Sequence, residues 1–190
     1  ESSFDVCGTS LILDHKHVDT IEIRKPKAHS KLLAVYVNDI LQKNEISIEQ
    51  IDVIAVCIGP GSYTGLRIGI SLAKGLALPF KKSIYPIDSF AVARFQIKEK
   101  SNFSIAFHSH RNFVYHCNVD SNGVMSRPNM CSLDEVVNTN LYGYNLDLIS
   151  KDFNYFEIKP CSKILAEYTL KNINSKLVPI DKISPIYLSI

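Results

Sequence analysis

One stretch of this 190-residue chain decides its fold, and it reads Gly59-Pro60-Gly61-Ser62-Tyr63-Thr64-Gly65-Leu66-Arg67-Ile68-Gly69-Ile70-Ser71-Leu72-Ala73-Lys74-Gly75-Leu76-Ala77. The run 51–58 before it is short, almost wholly apolar and rich in β-branched residues, which is typical of a strand covered on both faces. Gly59 and Gly61 allow backbone angles that a side chain would forbid. The stretch therefore predicts a buried strand, a glycine-rich turn and a helix that begins near Thr64.

The glycine-rich turn comprises Gly59, Pro60, Gly61 and Ser62, with Thr64 at the start of the helix. Free N–H groups at a helix start could hold an anion. The turn is not a Walker A phosphate loop, because no Lys-Ser/Thr pair follows its second glycine. It is not a nucleophile elbow either, because the G-x-S-x-G pattern is missing. Taken alone, such a turn is more often a tight connection than a ligand site.

Small residues recur at every fourth position of the predicted helix, at Gly65, Gly69, Ala73 and Ala77. A strip of this kind lets another backbone come close. Each helical glycine costs up to about 1 kcal/mol relative to alanine, so close approach has to offset the loss. Packing on the chain's own sheet and contact with another polypeptide explain the strip equally well.

The remaining pattern predicts mixed strands and helices. Polar residues at 99–102 suggest a boundary between two lobes, 1–99 and 100–190. In the first lobe we expect strands at 6–13, 18–23 and 84–87 and helices at 30–43, 64–78 and 89–98. In the second we expect strands at 105–108, 113–120 and 146–150, a hairpin turn at 121–123 and a helix at 162–171. Ser47 and Ser132 each open a capping-box sequence.

The composition limits the classes of function that this chain can have. Hydrophobic residues make up 46% and charged residues 21%, which is ordinary for a soluble globular protein, and the formal charge is only +2. The densest basic segment, Arg24-Lys25-Pro26-Lys27, is interpreted as a solvated turn, so any tRNA contact should be weak or shared with a partner. The five cysteines are scattered and form no C-x-x-C pair. With no signal peptide and no bilayer-length apolar run, we expect a cytoplasmic protein without membrane contact.

The central motif resembles G-P-G-S-[FY]-T-G-[LV]-R-I-G, the signature of the TsaB (YeaZ) family. The opening Glu1–Leu11, the pair His29-Ser30 and the ending Pro185-Ile186-Tyr187-Leu188 are similar to further family patterns, so the resemblance spans nearly the whole chain. It implies an α/β fold of the two-lobed actin-like/Hsp70-like (ribonuclease H-type, ASKHA) kind. The family usually has a few more apolar residues ahead of Glu1, so we expect the first strand to lack its beginning.

The resemblance also implies a non-catalytic subunit without cofactor or metal. Catalytic members of the superfamily carry D-x-G-[ST] on the first strand, where this chain has Glu1-Ser2-Ser3-Phe4. The catalytic relative TsaD has a metal-binding H-x-x-x-H on a helix, where this chain has Asp88-Ser89-Phe90-Ala91-Val92-Ala93-Arg94, without histidine. His108-Ser109-His110 could present two imidazoles on one face, but no third ligand is evident in the sequence.

The implied partners are TsaD and the ATPase TsaE, with tRNA reached only through the complex and a homodimer when the chain is alone. The implied interface is a four-helix contact that uses the first two helices. The residues expected there are Leu33, Tyr36, Val37, Ile40, Gly65, Ile68, Gly69, Leu72 and Ala73. Two alternatives stay open: an ATP-binding enzyme of the same fold, such as a small kinase or ATPase, and a glycoprotease-like peptidase.

Overall fold

The computed structural model describes residues 1–136, 140–151, 153–173 and 177–189, which divide into two compact units. Unit 1 comprises Glu1–Val92 and Pro160–Ile186, and unit 2 comprises Ala93–Lys159 and Tyr187–Ile190. This division differs from the predicted lobes 1–99 and 100–190, because the segment after residue 159 folds with the first unit. No helix in the described part of the chain has the length and apolar character that crossing a membrane requires.

In its described residues, unit 1 contains four strands and three complete α-helices. Strands β1 (Val6–Leu13) and β2 (Lys16–Arg24) form an antiparallel hairpin, whose turn residues Asp14 and His15 have φ angles of 49° and 59°. Helix α1 (His29–Lys43) follows, then β3 (Val53–Gly59), α2 (Tyr63–Ala77) and β4 (Ser83–Asp88), with β3 and β4 parallel. These elements confirm the predicted order, and the Ser47 capping box is present.

The β3–β4 sheet is covered on both faces, as the apolar run predicts. On one face Val56 and Ile84 pack with Ile70 of α2 and with Ile183 from the last segment of unit 1. On the other face Cys57, Tyr85 and Ile87 pack with Leu165 of helix α4 (Ser162–Asn172). The glycine-rich turn at the end of β3 is therefore held between two packed layers.

Helix α4 is fixed to the β1–β2 hairpin by a carboxylate at its N-terminus. The backbone N–H and the hydroxyl of Ser162 both donate to Oε2 of Glu22, each at 2.8 Å. Arg24 donates to the carbonyl of Pro160. A Cβ added to Gly8 would lie 2.8 Å from Oγ of Ser162, so the hairpin needs a bare residue there. These contacts are the physical reason that the segment after residue 159 belongs to unit 1.

Removing the carboxylate of Glu22 should loosen this attachment. We expect Glu22→Ala to lower the free energy of unfolding by about 1–2 kcal/mol, because it leaves two donors of Ser162 without their acceptor. Urea denaturation measures the change. Glu167→Ala, on a later turn of α4, is the control, and equal losses in the two variants would contradict the assigned role.

Unit 2 is built on a five-stranded sheet. Its strands are β5 (Phe103–His110), β6 (Phe113–Val119), β7 (Asn129–Ser132), β8 (Leu141–Tyr144) and β9 (Phe156–Glu157), in the order β7-β6-β5-β8-β9. Helix α3 (Ser89–Gln96) contains the unit boundary, and Oδ1 of Asp88 accepts from two N–H groups at its start. The Ser132 capping box and the turn at 121–123, with Gly123 at φ 80°, are as predicted.

The prediction of a strand at 146–150 is wrong. The strand lies earlier, as β8, and Asn145 then adopts a left-handed conformation with φ 59° that ends it. A short 3₁₀ turn, Leu146–Leu148, follows and buries Leu146 against Ala106 and Val114. Three apolar residues among five can satisfy a core position in either conformation, so the pattern alone misassigned the segment.

His116 is expected to make the stability of unit 2 fall in acid. Its Nε2 lies 3.3 Å from the hydroxyl of Ser104, and burial is the main cause that lowers the pKa of the imidazole. The unfolded chain therefore binds this proton more readily, and stability falls as the pH drops below the unfolded pKa of about 6.5. We expect His116→Asn to lose less stability than the wild type between pH 7.5 and pH 5.5 in urea denaturation. An unchanged pH dependence would contradict this assignment.

Candidate partner surface and glycine-rich turn

The glycine-rich turn is shaped by backbone conformation and by a helix cap. Gly59 has φ 104°, and the Gly59–Pro60 peptide bond is cis. A Cβ on Gly59 would lie 2.8 Å from Leu66 and 3.1 Å from the carbonyl oxygen of Ile186. Ser62 caps α2, since its hydroxyl accepts from the N–H of Gly65 at 3.2 Å. Glycine is therefore required at position 59 by both conformation and space.

The chain's own N-terminal segment fills the turn. The carbonyl oxygen of Ser3 accepts from the N–H of Ser62. A Cβ on Gly61 would lie 2.2 Å from that same oxygen, and a Cβ on Gly65 would lie 2.1 Å from the carbonyl oxygen of Ser2. The hydroxyl of Ser2 in turn donates to the carbonyl of Gly65 at 2.9 Å. The close backbone approach that these glycines permit is thus used within unit 1.

The small-residue strip of α2 faces inward as well. Gly65, Gly69, Ala73 and Ala77 are all buried, and a Cβ on Gly69 would lie 2.3 Å from Oγ of Ser2. The interpretation of this strip as packing on the chain's own fold is therefore correct for these positions. Whether these positions contact a partner stays a prediction. The expected interface residues that lie buried in unit 1 are Leu33, Ile40, Gly65, Gly69 and Ala73.

The other expected interface residues keep part of their surface. Tyr36, Ile68 and Leu72 are half-buried and pack against the cluster around Leu33, where α1 meets α2. Val37 is also half-buried but lies outside that cluster. Together with exposed neighbours, the half-buried residues form a surface that we call the α1–α2 face. Its members are Leu32, Val35, Tyr36, Tyr63, Arg67, Ile68, Ser71, Leu72, Gly75 and Leu78.

Seven members of the α1–α2 face were not among the residues that the sequence predicted for the interface. Val35 of α1 is 47% exposed, and at the two ends of α2 Tyr63 is 56% and Leu78 67% exposed. The guanidinium of Arg67 stacks on the ring of Tyr63 at 3.8 Å. A Cβ on Gly75 would meet nothing within 4 Å. Apolar side chains at this exposure mark a surface suited to protein contact, and the exposed fourth-residue spacing on α2 was the signal that could have identified it.

The carboxylate of Glu1 forms hydrogen bonds within its own N-terminal segment. The carboxylate of Glu1 accepts from the N–H of Ser3 at 2.7 Å and also from the Ser3 hydroxyl.

The thiol of Cys57 lies 3.2 Å from the hydroxyl of Ser89, which donates to the carbonyl of Pro60 at 2.8 Å. Burial raises the pKa of Cys57 to about 12. The thiol therefore stays protonated and packs as an apolar group rather than acting as a nucleophile.

The two histidines of β5 are engaged within their own hairpin. Nε2 of His108 lies 3.2 Å from the carbonyl oxygen of Arg111, and Nδ1 of His110 lies 3.1 Å from the hydroxyl of Ser109. The ring of His110 also contacts that of Phe113, with centroids 5.4 Å apart. Across the described residues, no three His, Cys, Asp or Glu side chains come together in a way that could hold a metal ion.

Sequence comparison finds relatives whose names refer to one tRNA modification. The family model for TsaD, tRNA N6-adenosine threonylcarbamoyltransferase, matches residues 24–129. The tRNA threonylcarbamoyladenosine biosynthesis protein TsaB of Haemophilus influenzae is 28% identical over 118 residues, which are 60% of this chain and 50% of that protein. The tRNA N6-adenosine threonylcarbamoyltransferase of Thermofilum pendens is 41% identical over 69 residues, 36% of this chain and 20% of that enzyme. The chain thus spans about half or less of the length of these curated relatives.

Structural comparison shows the fold. A crystal structure from Pseudomonas aeruginosa, described as an uncharacterized protein with similarity to peptidase YEAZ, superposes with a TM-score of 0.81. The match covers 99% of this chain and 96% of that one at 18% identity. The mixed α/β architecture of the chain is therefore that of the YeaZ structures.

Proposed function

Because this chain belongs to the TsaB (YeaZ) family, within the group that the TsaD model describes, we propose that it is a non-catalytic scaffold subunit for the synthesis of threonylcarbamoyladenosine in tRNA. In this role it binds a TsaD-type catalytic subunit, and a TsaE-type ATPase joins the pair. It reaches tRNA only through the complex, in the cytoplasm where tRNA is modified. The finer fold assignment, to two actin-like/Hsp70-like lobes, belongs to the same proposal.

The proposal is carried by the exposed apolar α1–α2 face, which lies beside a glycine-rich turn that the chain's own N-terminal segment already fills. The backbone of Ser2 and Ser3 occupies the space next to Gly61 and Gly65, which supports a structural use of the turn over nucleotide binding. The acid of Glu1 is engaged by Ser3, which supports the same view. What the first two helices offer instead is exposed apolar surface of the kind found at protein interfaces.

Substitution of Val35 tests the partner surface. We expect Val35→Asp to weaken capture of the cognate TsaD-type subunit at least tenfold, because it places a charge in an apolar contact. Val18→Asp is the matched control, since Val18 on β2 is 44% exposed against 47% for Val35 and lies outside the α1–α2 face. Surface plasmon resonance with the immobilised partner measures both. Equal affinities in the two variants would show that the face is misplaced.

A reconstituted modification assay tests the role itself. With the TsaD-type and TsaE-type proteins, a threonylcarbamoyl donor and tRNA, we expect the modified adenosine to form only when this chain is added, as measured by mass spectrometry of tRNA digests. The chain alone should neither hydrolyse ATP with magnesium nor cleave peptides. Turnover of ATP by the chain alone would favour the alternative of a small kinase or ATPase, and peptide cleavage would favour the peptidase.

A further inference from the structure

The turn that follows β6 contains the one Asn-Gly pair of the sequence, Asn122-Gly123. The N–H of Gly123 donates to the carbonyl of Asp120 at 2.9 Å, and the N–H of Asp120 donates to the carbonyl of Val124 at 3.0 Å. Gly123 has φ 80°, a left-handed conformation that glycine adopts without strain. The tight turn thus holds an exposed asparagine directly before a residue that has no side chain.

The side chain of Asn122 is open to the backbone nitrogen that follows it. The backbone N–H of Asn122 is held by Asp120, but its carboxamide forms no hydrogen bond among the described residues. Because Gly123 has no Cβ, nothing on that residue hinders its nitrogen from approaching Cγ of Asn122. Asparagine is also one of the thermolabile residue types. The pair therefore combines a free carboxamide with an unhindered nucleophile.

We propose that Asn122 is a site of spontaneous deamidation in the folded chain. The nitrogen of Gly123 loses its proton and attacks Cγ of Asn122, the carboxamide C–N bond breaks, and ammonia leaves after taking up a proton. Water then opens the resulting succinimide ring at either carbonyl, which leaves aspartate or isoaspartate at position 122. In sum one water is consumed and one ammonia released, with no oxidation or reduction. This modification goes beyond the proposed function and does not depend on it.

Arg94 favours negative charge in this turn. Its Nη2 lies 2.9 Å from the position that a Cβ of Gly123 would take, while its Nη1 donates to the carbonyl of Ile97. Nε of Arg94 is buried and has no hydrogen-bond acceptor among the described residues. A guanidinium this close stabilises the nitrogen anion that attacks and the carboxylate that the reaction leaves behind.

The carboxylate of Asp120 opposes the reaction. Its Oδ1 accepts from the backbone N–H groups of Asn122 and Val124, each at 2.9 Å, and so holds the turn closed. The nitrogen of Gly123 has to leave the carbonyl of Asp120 before it can attack, so the rate follows how often the turn opens. The negative charge of Asp120 also repels the nitrogen anion. Asp120 therefore limits the rate at which Asn122 is modified.

Peptide mapping by mass spectrometry tests the site. The purified chain is kept at pH 8 and 37 °C, and isoaspartate is detected with an isoaspartyl methyltransferase. We expect Asn122 to deamidate at least about ten times faster than Asn154, since the residue after Asn154 is Tyr155, whose side chain hinders the attack. Asn154 is the control because it is also exposed and lies outside helices and strands. Equal rates at the two positions would overturn the proposal.

Two substitutions test the assignment and the role of Asp120. In Asn122→Gln the isoaspartate signal should disappear, because glutamine has to close a larger and slower-forming ring. We expect Asp120→Ala to speed deamidation at least about threefold, since it removes two hydrogen bonds and a repelling charge from the turn. Asp134→Ala, at another exposed aspartate of unit 2, is the control, and circular dichroism checks that the variants stay folded. A persistent signal in Asn122→Gln, or equal rates in the two aspartate variants, would contradict the proposal.

Discussion

Replacing Gly65 with alanine is expected to lower the free energy of unfolding by about 3 kcal/mol, at the upper end of the range for overpacked sites. The new Cβ would lie 2.1 Å from the carbonyl oxygen of Ser2. That oxygen belongs to a backbone segment that two hydrogen bonds hold in place. The hydroxyl of Ser2 donates to the carbonyl of Gly65, and the carbonyl of Ser3 accepts from the N–H of Ser62. The clash therefore cannot be relieved by rotating a side chain, and the N-terminal segment has to move off α2.

The same substitution ten residues along the helix should have the opposite sign. Gly75→Ala adds a Cβ into open space, so we expect it to raise the free energy of unfolding by about 0.5–1 kcal/mol, the ordinary gain in helix propensity. Both changes are measured by urea denaturation at a protein concentration that keeps the chain monomeric. If the two variants changed stability equally, intrachain approach would not be the reason for glycine at position 65.

Replacing Ile183 with alanine is expected to lower the free energy of unfolding by about 3 kcal/mol, the middle of the range for a fully buried isoleucine. Ile183 is 4% exposed and packs with Val56, Ile70 and Ile84 over one face of the β3–β4 sheet. Three residues later, the N–H of Ile186 donates to the carbonyl of Ile58 at 2.7 Å. The last segment of unit 1 therefore supports α2 and the glycine-rich turn together.

Leu177→Ala is the control for Ile183, because Leu177 precedes the same segment and is 47% exposed. We expect it to change stability by less than about 1 kcal/mol, since most of its surface already contacts solvent. Thermal and urea denaturation should rank the two variants alike. A loss at Leu177 as large as that at Ile183 would mean that the segment does not cover the sheet as described.

Local patterns predicted much of unit 1. The run before Gly59 indicated a strand covered on both faces, and the spacing of Leu33, Val37 and Ile40 indicated α1, because both periods are set by backbone geometry alone. The spacing did not tell which apolar residues of α1 stay exposed. Leu33 and Ile40 belong to the apolar stripe of α1 and are buried in unit 1, whereas Val35 is a large apolar residue of the same helix that stays 47% exposed.

The sequence by itself determined the family, the order of the elements and the need for bare residues around Gly65, since these follow from motif and spacing within one stretch of chain. Only the tertiary structure decided what those bare residues contact. Ser2 and Gly65 are 63 positions apart, yet the hydroxyl of one bonds the carbonyl of the other. A glycine leaves room for any close neighbour because it has no side chain. Which segment packs there depends on how distant parts of the chain fold together, and the local spacing of residues carries no information about that.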